Sequence, residues 1–427
     1  MDKYNLPEYK RARFAYSAQC AFEHFVGLLF GGSFLVKLLN SLGMSDSAIG
    51  IISSISTFAV LFQVIEIFLT NKIKNVKRTV MIWDTMSQLS FAIVYFIPFL
   101  NIGVNLKVAM VVAVIIFGYF SRYIIFSCYY KWANSYVSPD KLATYSAVKE
   151  MISLFTGMIV SLLAAYVFSR FEDRNMILAG FLFLGVVMII INSCSFISYC
   201  FIKNAEIKPE EKTVKYKMSD VMNNTLLNKS FRNAIILIGL IQVSLGFAGS
   251  FMGTLMQVDF GYTVLHIQIF TILGHLARMA VSLPLGRYSD KKSYAKGIRM
   301  AVYILILSFV AGIFSCDKAT WLVILYLIFS NMAQAGIYAN FLNITYDYVK
   351  PEFIVPAMAI KNCVGGILGF GASLVGGAFL QFVQDNGNVL FGIKAYGQQF
   401  MSTIAVIILI GAVVFGKFVV EKQKRIS

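Results

Sequence analysis

The stretch VGLLFGGSFLVKL (residues 26–38) recurs as VSLGFAGSFMGTL (residues 243–255), and this repetition decides the fold. The two copies share seven of their thirteen positions in order, and the offset in numbering between them is 243 − 26 = 217. A second repeat matches residues 136–162 with residues 348–374, with an offset of 348 − 136 = 212. Two nearly equal offsets indicate two homologous halves, each about half of the chain long.

The composition identifies the medium in which these halves fold. The chain has 427 residues, of which 58% are hydrophobic and 14% are charged, and its mean hydropathy is +0.73. Soluble domains carry about 25% charged residues, so a water-soluble monomer is excluded. Apolar runs of about 20 residues are typical of membrane-spanning helices. The sequence predicts twelve of them, near 14–39, 48–70, 79–100, 107–130, 146–169, 176–201, 233–257, 264–285, 299–315, 320–345, 359–383 and 400–420.

The net charge of +16 reports topology rather than a nucleic-acid partner. If the N-terminus is cytoplasmic, the inner segments carry 29 of the lysines and arginines. The outer segments carry only five, namely Lys107, Arg170, Arg174, Lys318 and Lys394. Short cytoplasmic loops accumulate such residues, so both termini are expected on the cytoplasmic side of the cell membrane.

The predicted domains follow the repeat. Residues 1–202 are expected to form an N-terminal six-helix bundle, and residues 232–427 a C-terminal one. The cytoplasmic linker between them, residues 203–231, opens with a charged stretch. It continues with apolar residues at helical spacing from Met218 to Leu226, which predict a short helix on the membrane surface. The six cysteines show no metal-site or disulfide spacing.

A short motif follows the eighth predicted span. The stretch GRYSDKKSYAK, residues 286–296, resembles the G-x-x-x-D-[RK]-x-G-x-[RK]-[RK] loop signature of the major facilitator superfamily. The matching residues are Gly286, Asp290, Lys291 and Lys296. The corresponding loop of the first half keeps only Lys77 and Arg78 and has Lys72 where the acid should be. A phosphate-binding loop is not supported, because the second glycine that it requires is absent.

The resemblance implies the fold and part of the mechanism. It implies an all-α membrane protein with two pseudo-symmetric six-helix bundles, in which spans 1, 4, 7 and 10 line a central cavity. The two bundles would open it alternately to either side of the membrane. In that family the loop acid is thought to meet the start of a helix in the other half, which gives Asp290 and its neighbours a gating role.

Ionisable side chains within the spans are the strongest site candidates, because each costs at least ~2.5–3.5 kcal/mol to insert. Glu23 lies about nine residues (~13 Å) from the inner end of span 1, and Arg122 lies equally deep in span 4. The two are expected to meet, either as a coupling and binding pair or as a structural ion pair. His275 and Arg278 share one helix face in span 8, with the same two interpretations open.

The other charged residues in or near the spans are interpreted differently. Lys37 and Asp84 lie nearer to the ends of their predicted helices, where they could reach the interface by snorkelling. Glu150 lies close to the membrane surface and is expected to be structural or part of gating. Glu66 in span 2 is a further candidate without an assigned role.

Neutral polar residues at matching depth extend the candidate cavity. With the offset of the second repeat, Arg122 corresponds to Gln334 and Tyr119 to Asn331. Gln242 lies near the middle of span 7. Amides and tyrosines both donate and accept hydrogen bonds, which suits hydroxyl-rich ligands, although each residue could instead bond a neighbouring helix.

These observations predict a secondary transporter, not an enzyme, for a small polar solute such as a sugar, a sugar acid or another organic anion. Proton coupling is expected, with sodium as the other possible ion, and no cofactor or metal. The expected partners are the solute and the lipid bilayer, with no nucleic acid, and the protein is expected to be a monomer. A proton-driven exporter of amphiphilic compounds and a non-transporting membrane sensor are the two alternatives.

Overall fold

The computed structural model describes residues 6–63, 65, 75–126, 129, 132–133, 135–137, 142–202, 218–350 and 353–424. Within these residues the chain is helical apart from loops and one antiparallel hairpin, β1 (Val389–Leu390) and β2 (Ile393–Lys394). The helices of the first half are α1 (Pro7–Phe30), α2 (Gly32–Ser41), α3 (Asp46–Ser53), α4 (Ile55–Ala59), α5 (Val76–Ile93), α6 (Val104–Tyr123), α7 (Leu142–Asp173) and α8 (Ile177–Cys200). Those of the linker and second half are α9 (Met218–Asn224), α10 (Lys229–Phe247), α11 (Val264–Lys292), α12 (Tyr294–Phe314), α13 (Leu322–Tyr348), α14 (Ile354–Asp385) and α15 (Gly397–Phe418).

The described residues contain eleven helical segments that are long and apolar enough to cross a membrane. They correspond to eleven of the twelve predicted spans, which confirms the all-α membrane fold. The remaining span, 48–70, begins with the shorter apolar segment Asp46–Phe62. Glu66 of that span lies outside the described residues.

The sequence repeat is visible in the helices. The first and last residues of α14 follow those of α7 by the offset of the second repeat (354 − 142 and 385 − 173). The other repeat marks a break in both halves, because α1 stops before Gly32 and α10 stops before Gly249. Gly32 has φ +54°, a left-handed conformation that glycine adopts without steric cost. The phenylalanines that follow, Phe34 and Phe251, are fully buried.

Two compact units are distinguished by the density of contacts. The first comprises residues up to Gly43 with Phe62–Val214 and Thr263–Gln268. The second comprises Met44–Leu61, Lys215–Tyr262 and the chain from Ile269 onward. In the first unit α1 packs against α5, α7 and α8, and in the second α10 packs against α14 and α15. The predicted boundaries of the bundles and linker stay predictions.

Glycine allows a close helix contact in the second unit. A Cβ at Gly246 of α10 would lie 2.8 Å from the carbonyl carbon of Gly369 in α14, and closer still to its oxygen. Gly365, one turn earlier, faces the Gln242 side chain. The small-residue spacing of Gly365 and Gly369 thus serves close packing, as its sequence pattern indicates.

The segment that carries the loop signature is mostly helical, so the expectation of a loop was wrong. Helix α11 continues through Lys292, and only Ser293 separates it from α12. No proline or glycine follows Gly286 in α11, and lysines suit the negative end of the helix dipole. The Ser293 hydroxyl accepts a hydrogen bond from the Lys296 amide at 3.2 Å and so caps α12. The predicted linker helix is present as α9.

Candidate functional site

Four polar side chains from α1, α5 and α6 form what is called here the carboxylate cluster, consisting of Gln19, Glu23, Asp84 and Arg122. Gln19 and Glu23 are four residues apart on α1, so their side chains lie on one face. Arg122, in the last turn of α6, forms an ion pair with Glu23 through Nη2 and Oε1. The side chains of Arg122 and Glu23 are 31% and 12% exposed. The expected contact between them is therefore present, while its role in transport stays a prediction.

Asp84 is the residue that the sequence interpretation misplaced. Its Oδ2 accepts hydrogen bonds from Gln88 Nε2 at 2.6 Å, Tyr199 Oη at 2.9 Å and Gln19 Nε2 at 3.3 Å. Only 5% of the residue is exposed, so it does not snorkel to the interface. The helix α5 begins at Val76, three residues before the predicted span, and this places Asp84 eight residues, or ~12 Å, from the helix start.

Gln19 connects the two carboxyl groups. Its Nε2 lies 3.4 Å from Glu23 Oε2 and 3.3 Å from Asp84 Oδ2. Because both oxygens contact the same nitrogen, the distance between them cannot exceed the sum of these two distances. The Tyr129 hydroxyl donates to Gln19 Oε1 and thereby fixes the orientation of the amide. Gln19 and Asp84 are both buried, whereas Arg122 and Glu23 keep partial access to solvent. The cluster thus has an inaccessible side and an accessible one.

Hydroxyl groups and a lysine lie nearer to the predicted inner end of the same unit. Lys149 Nζ donates to Tyr16 Oη at 2.9 Å and lies 4.3 Å from the centre of the Tyr16 ring. Tyr145 Oη donates to the Arg13 carbonyl at 2.7 Å. Burial raises the pKa of Tyr145 to about 12, so its hydroxyl stays a neutral donor at physiological pH.

Other candidates of the first half lie in different surroundings. Tyr119 packs among aromatic rings, with its ring centre 4.9 Å from that of Phe91 and 6.4 Å from that of Tyr123. Lys37 forms a 2.7 Å ion pair with Glu172 at the opposite end of the unit from the start of α1. Helix α7 includes Glu150, but its side chain lies outside the described part of the chain.

Several candidate residues of the second unit lie on α11 and α13. The Arg278 guanidinium lies 5.5 Å from the centre of the Tyr338 ring, within range of a cation–π interaction. Asn331 Nδ2 donates to the Leu327 carbonyl of its own helix at 2.9 Å. The same amide adjoins Gly274 of α11, where an added Cβ would lie 2.6 Å from Asn331 Nδ2. His275, like Arg278, is half-buried.

The two remaining amide candidates lie on different helices. Gln242 lies at the contact of α10 with α14, beside Gly365 and Gly369. Gln334 lies on α13, one turn beyond Asn331, and is half-buried. Neither position tests whether these amides meet a solute, so their binding role stays a prediction.

Lys361 was not among the predicted site residues, although it is the repeat partner of Lys149. It lies on α14, is 2% exposed, and its Nζ donates to the Phe341 carbonyl and to Thr345 Oγ1, the latter at 3.2 Å. Both acceptors belong to α13. The sequence signal was the retention of lysine at the same position of both repeats, within helices of equal length.

The residues of the loop signature are spread over the end of α11 and the start of α12. Lys291 is exposed, Gly286 and Lys296 are half-buried, and the side chain of Asp290 lies outside the described part. Their gating role is thus untested. Across the described chain, no group of three His, Cys, Asp or Glu residues is close enough to hold a metal ion.

A family model described as Major Facilitator Superfamily matches residues 21–374. No curated protein matches by sequence. A solved D-xylose-proton symporter has a TM-score of 0.71 at 12% identity, covering 97% of this chain and 99% of its own.

Two further structures show the same similarity. The nucleoside transporter NupG has a TM-score of 0.67 at 13% identity and covers 97% of this chain and 100% of its own. A bacterial homologue of the human lysosomal transporter Spinster has a TM-score of 0.64 at 13% identity, with 96% and 97% covered. At these identities the structural similarity concerns the fold.

Proposed function

The chain belongs to the major facilitator superfamily, and we propose that it moves a small polar solute together with protons by alternating access. Membership indicates a multi-pass membrane transporter. The proposal concerns the finer points: the solute is a sugar, a sugar acid or another organic anion, and the driving ion is the proton. We also propose that the protein is a monomer in the cell membrane with both termini in the cytoplasm.

The ion pair between Glu23 and Arg122, beside the buried Asp84, carries this proposal. Charges within a membrane protein are expensive unless they are paired. When Glu23 is protonated, its attraction for Arg122 is lost, and the guanidinium becomes available to a carboxylate or hydroxyl of the solute. When the solute leaves, Arg122 returns to Glu23 and favours release of the proton. Proton and solute are thereby coupled through one arginine.

Asp84 is held more firmly than Glu23 and does not take part in this exchange. Its three neutral donors hold its oxygen in place, whereas Glu23 is held by the ion pair with Arg122 and by a longer contact with Gln19. Glu23 is also the more accessible carboxyl group. We therefore assign proton exchange to Glu23 and the positioning of Gln19 to Asp84.

The second unit supports a polar solute. Arg278 with Tyr338, and the amides Asn331, Gln334 and Gln242, offer a cation, a hydroxyl and hydrogen-bonding groups of both polarities. A D-xylose-proton symporter among the structural neighbours agrees with a sugar-like solute and with proton coupling. His275 completes this set as a second titratable group.

The test is uptake by the purified protein in proteoliposomes under an imposed pH gradient. A panel of sugars, sugar acids and organic anions is offered, with a sodium gradient as the alternative driving force. Accumulation that a protonophore abolishes supports the proposal. Extrusion of an amphiphilic dye would indicate an exporter, and binding without flux would indicate a sensor.

A matched pair of variants tests the coupling residue. Glu23→Gln is expected to lower proton-driven accumulation at least tenfold while solute exchange without a gradient persists. Glu172→Gln is the control, since Glu172 is also in an ion pair and its side chain is equally exposed at 12%. Full proton-driven accumulation by Glu23→Gln would refute the assignment of Glu23.

A further inference from the structure

A groove on the first unit opens between the start of α5 and the end of α8. Its volume is about 370 Å³, and it is lined by Asn75, Lys77, Arg78, Met81, Ile82 and Phe196. We call it the basic groove. Its polar residues precede its apolar residues along α5, so one end of the groove is basic and the other is apolar. None of its residues belongs to the carboxylate cluster.

The apolar end of the basic groove continues into two exposed hydrophobic faces. On α5 the exposed residues Ile82, Met86 and Leu89 follow Arg78 at intervals of three or four, and so form one stripe below it. On α8, Phe196 is 42% exposed beside Ile197. In a membrane-spanning protein such faces contact acyl chains. Ile82 is four residues, or ~6 Å along the helix axis, from Arg78, so the apolar face begins one turn from the basic residues.

The basic end is held in place by contacts with the end of α8. Lys77 Nζ donates to the Cys200 carbonyl at 3.3 Å, which keeps the ammonium at the mouth of the groove. The Arg11 guanidinium lies 4.6 Å from the ring centre of the adjacent Phe201 and adds a third cation to this corner. Arg78 is exposed, and its amide donates to the Asn75 side chain at 3.0 Å. The first turn of α5 also directs the positive end of its dipole here.

We propose that the basic groove binds an anionic phospholipid. The guanidinium and ammonium groups bind the phosphate, with Arg78 able to form two parallel hydrogen bonds, and an acyl chain lies along Ile82 and Phe196. Charge and shape favour a lipid over a soluble phosphate, because the cations sit above an apolar face that a soluble anion would leave uncovered. Lys77 and Arg78 are also the two basic residues that the degenerate first loop signature retains, and this role accounts for them.

Native mass spectrometry of the purified full chain in detergent tests the proposal. Phosphatidylglycerol and phosphatidylcholine of equal chain length are titrated, with soluble glycerol phosphate as a competitor. We expect a preference for phosphatidylglycerol that Lys77→Gln/Arg78→Gln weakens about thirtyfold, equivalent to about 2 kcal/mol for two basic residues. Lys422→Gln/Lys424→Gln is the control, because it removes two charges from exposed residues on the same predicted side of the membrane.

Three results would overturn the proposal. They are an unchanged affinity in the groove variant, equal binding of the two lipids, or displacement by glycerol phosphate at concentrations similar to those of the lipid. The thermal transition of each variant is measured first. If the double variant does not fold, Arg78→Gln alone is used, with an expected loss of about fivefold. None of these results depends on which solute the protein transports.

Discussion

The contact of Gly246 with Gly369 yields the sharpest stability prediction. In Gly246→Ala the new Cβ would lie 2.8 Å from the Gly369 carbonyl carbon and closer still to its oxygen, whereas ordinary contact begins at 3.4 Å. Helices α10 and α14 must therefore move apart by more than the difference between these two distances. The obstacle is backbone, which cannot rotate away as a side chain does. Overpacking of this kind typically costs about 1–3 kcal/mol, and the gain in helix propensity, at most about 1 kcal/mol, offsets only part of it.

The control is Gly371→Ala on α14, where an added Cβ meets nothing within 4 Å. That variant has the same propensity gain without the clash, so the clash alone, about 1–3 kcal/mol, is expected to separate the two proteins. Thermal unfolding in detergent shows which of the two variants is less stable. Both are heated at the same scan rate, because unfolding of such proteins is often irreversible. A transition for Gly246→Ala at or above that of Gly371→Ala would refute the reasoning.

Three further predictions use the same unfolding assay. Gly32→Ala is expected to lose about 1–2 kcal/mol, because the left-handed backbone at φ +54° disfavours a Cβ, and Gly32→Asn should lose less. Phe251→Ala, at a fully buried ring, is expected to lose about 3–5 kcal/mol, whereas Phe391→Ala, at a 94% exposed ring, should stay within about 0.5 kcal/mol; similar losses would contradict the burial. Arg122→Gln is expected to destabilise more than Glu23→Gln, because it leaves two carboxyl groups facing each other across an amide; the reverse order would contradict the shared role of the arginine.

The depth of a residue in its helix could be predicted only as accurately as the ends of that helix. Glu23 and Arg122 were placed at equal depth from the sequence, and the structure joins them in an ion pair. Asp84 was assigned to a helix end because the predicted span started three residues late. A shift of three residues is ~4.5 Å along the axis, enough to change a snorkelling carboxylate into a buried one. The spacing of Asp84 and Gln88, four residues apart like Gln19 and Glu23, was the signal for a shared polar face.

Repeats predicted position better than they predicted contacts. The correspondence of Lys149 with Lys361 holds to the residue in α7 and α14, yet Lys149 reaches a tyrosine and Lys361 reaches backbone and a threonine. Gly27 and Gly31 have the same spacing as Gly365 and Gly369, but an added Cβ at Gly27 meets nothing within 4 Å among the described residues. The same spacing therefore places the glycines on one helix face in both halves, but it does not determine what packs against that face.

The sequence by itself determined the membrane class, the helices and the two-fold repeat, because hydrophobic run length and chain-local spacing fix these properties without distant contacts. Tertiary structure decided which polar groups meet. Gln19 bridges Glu23 to Asp84, which is 65 residues away along the chain from Gln19, and Tyr199 reaches the same carboxylate from 115 residues away. Such contacts depend on how each helix is rotated about its axis, and that rotation is set by packing against neighbours, including the glycines that admit them closely.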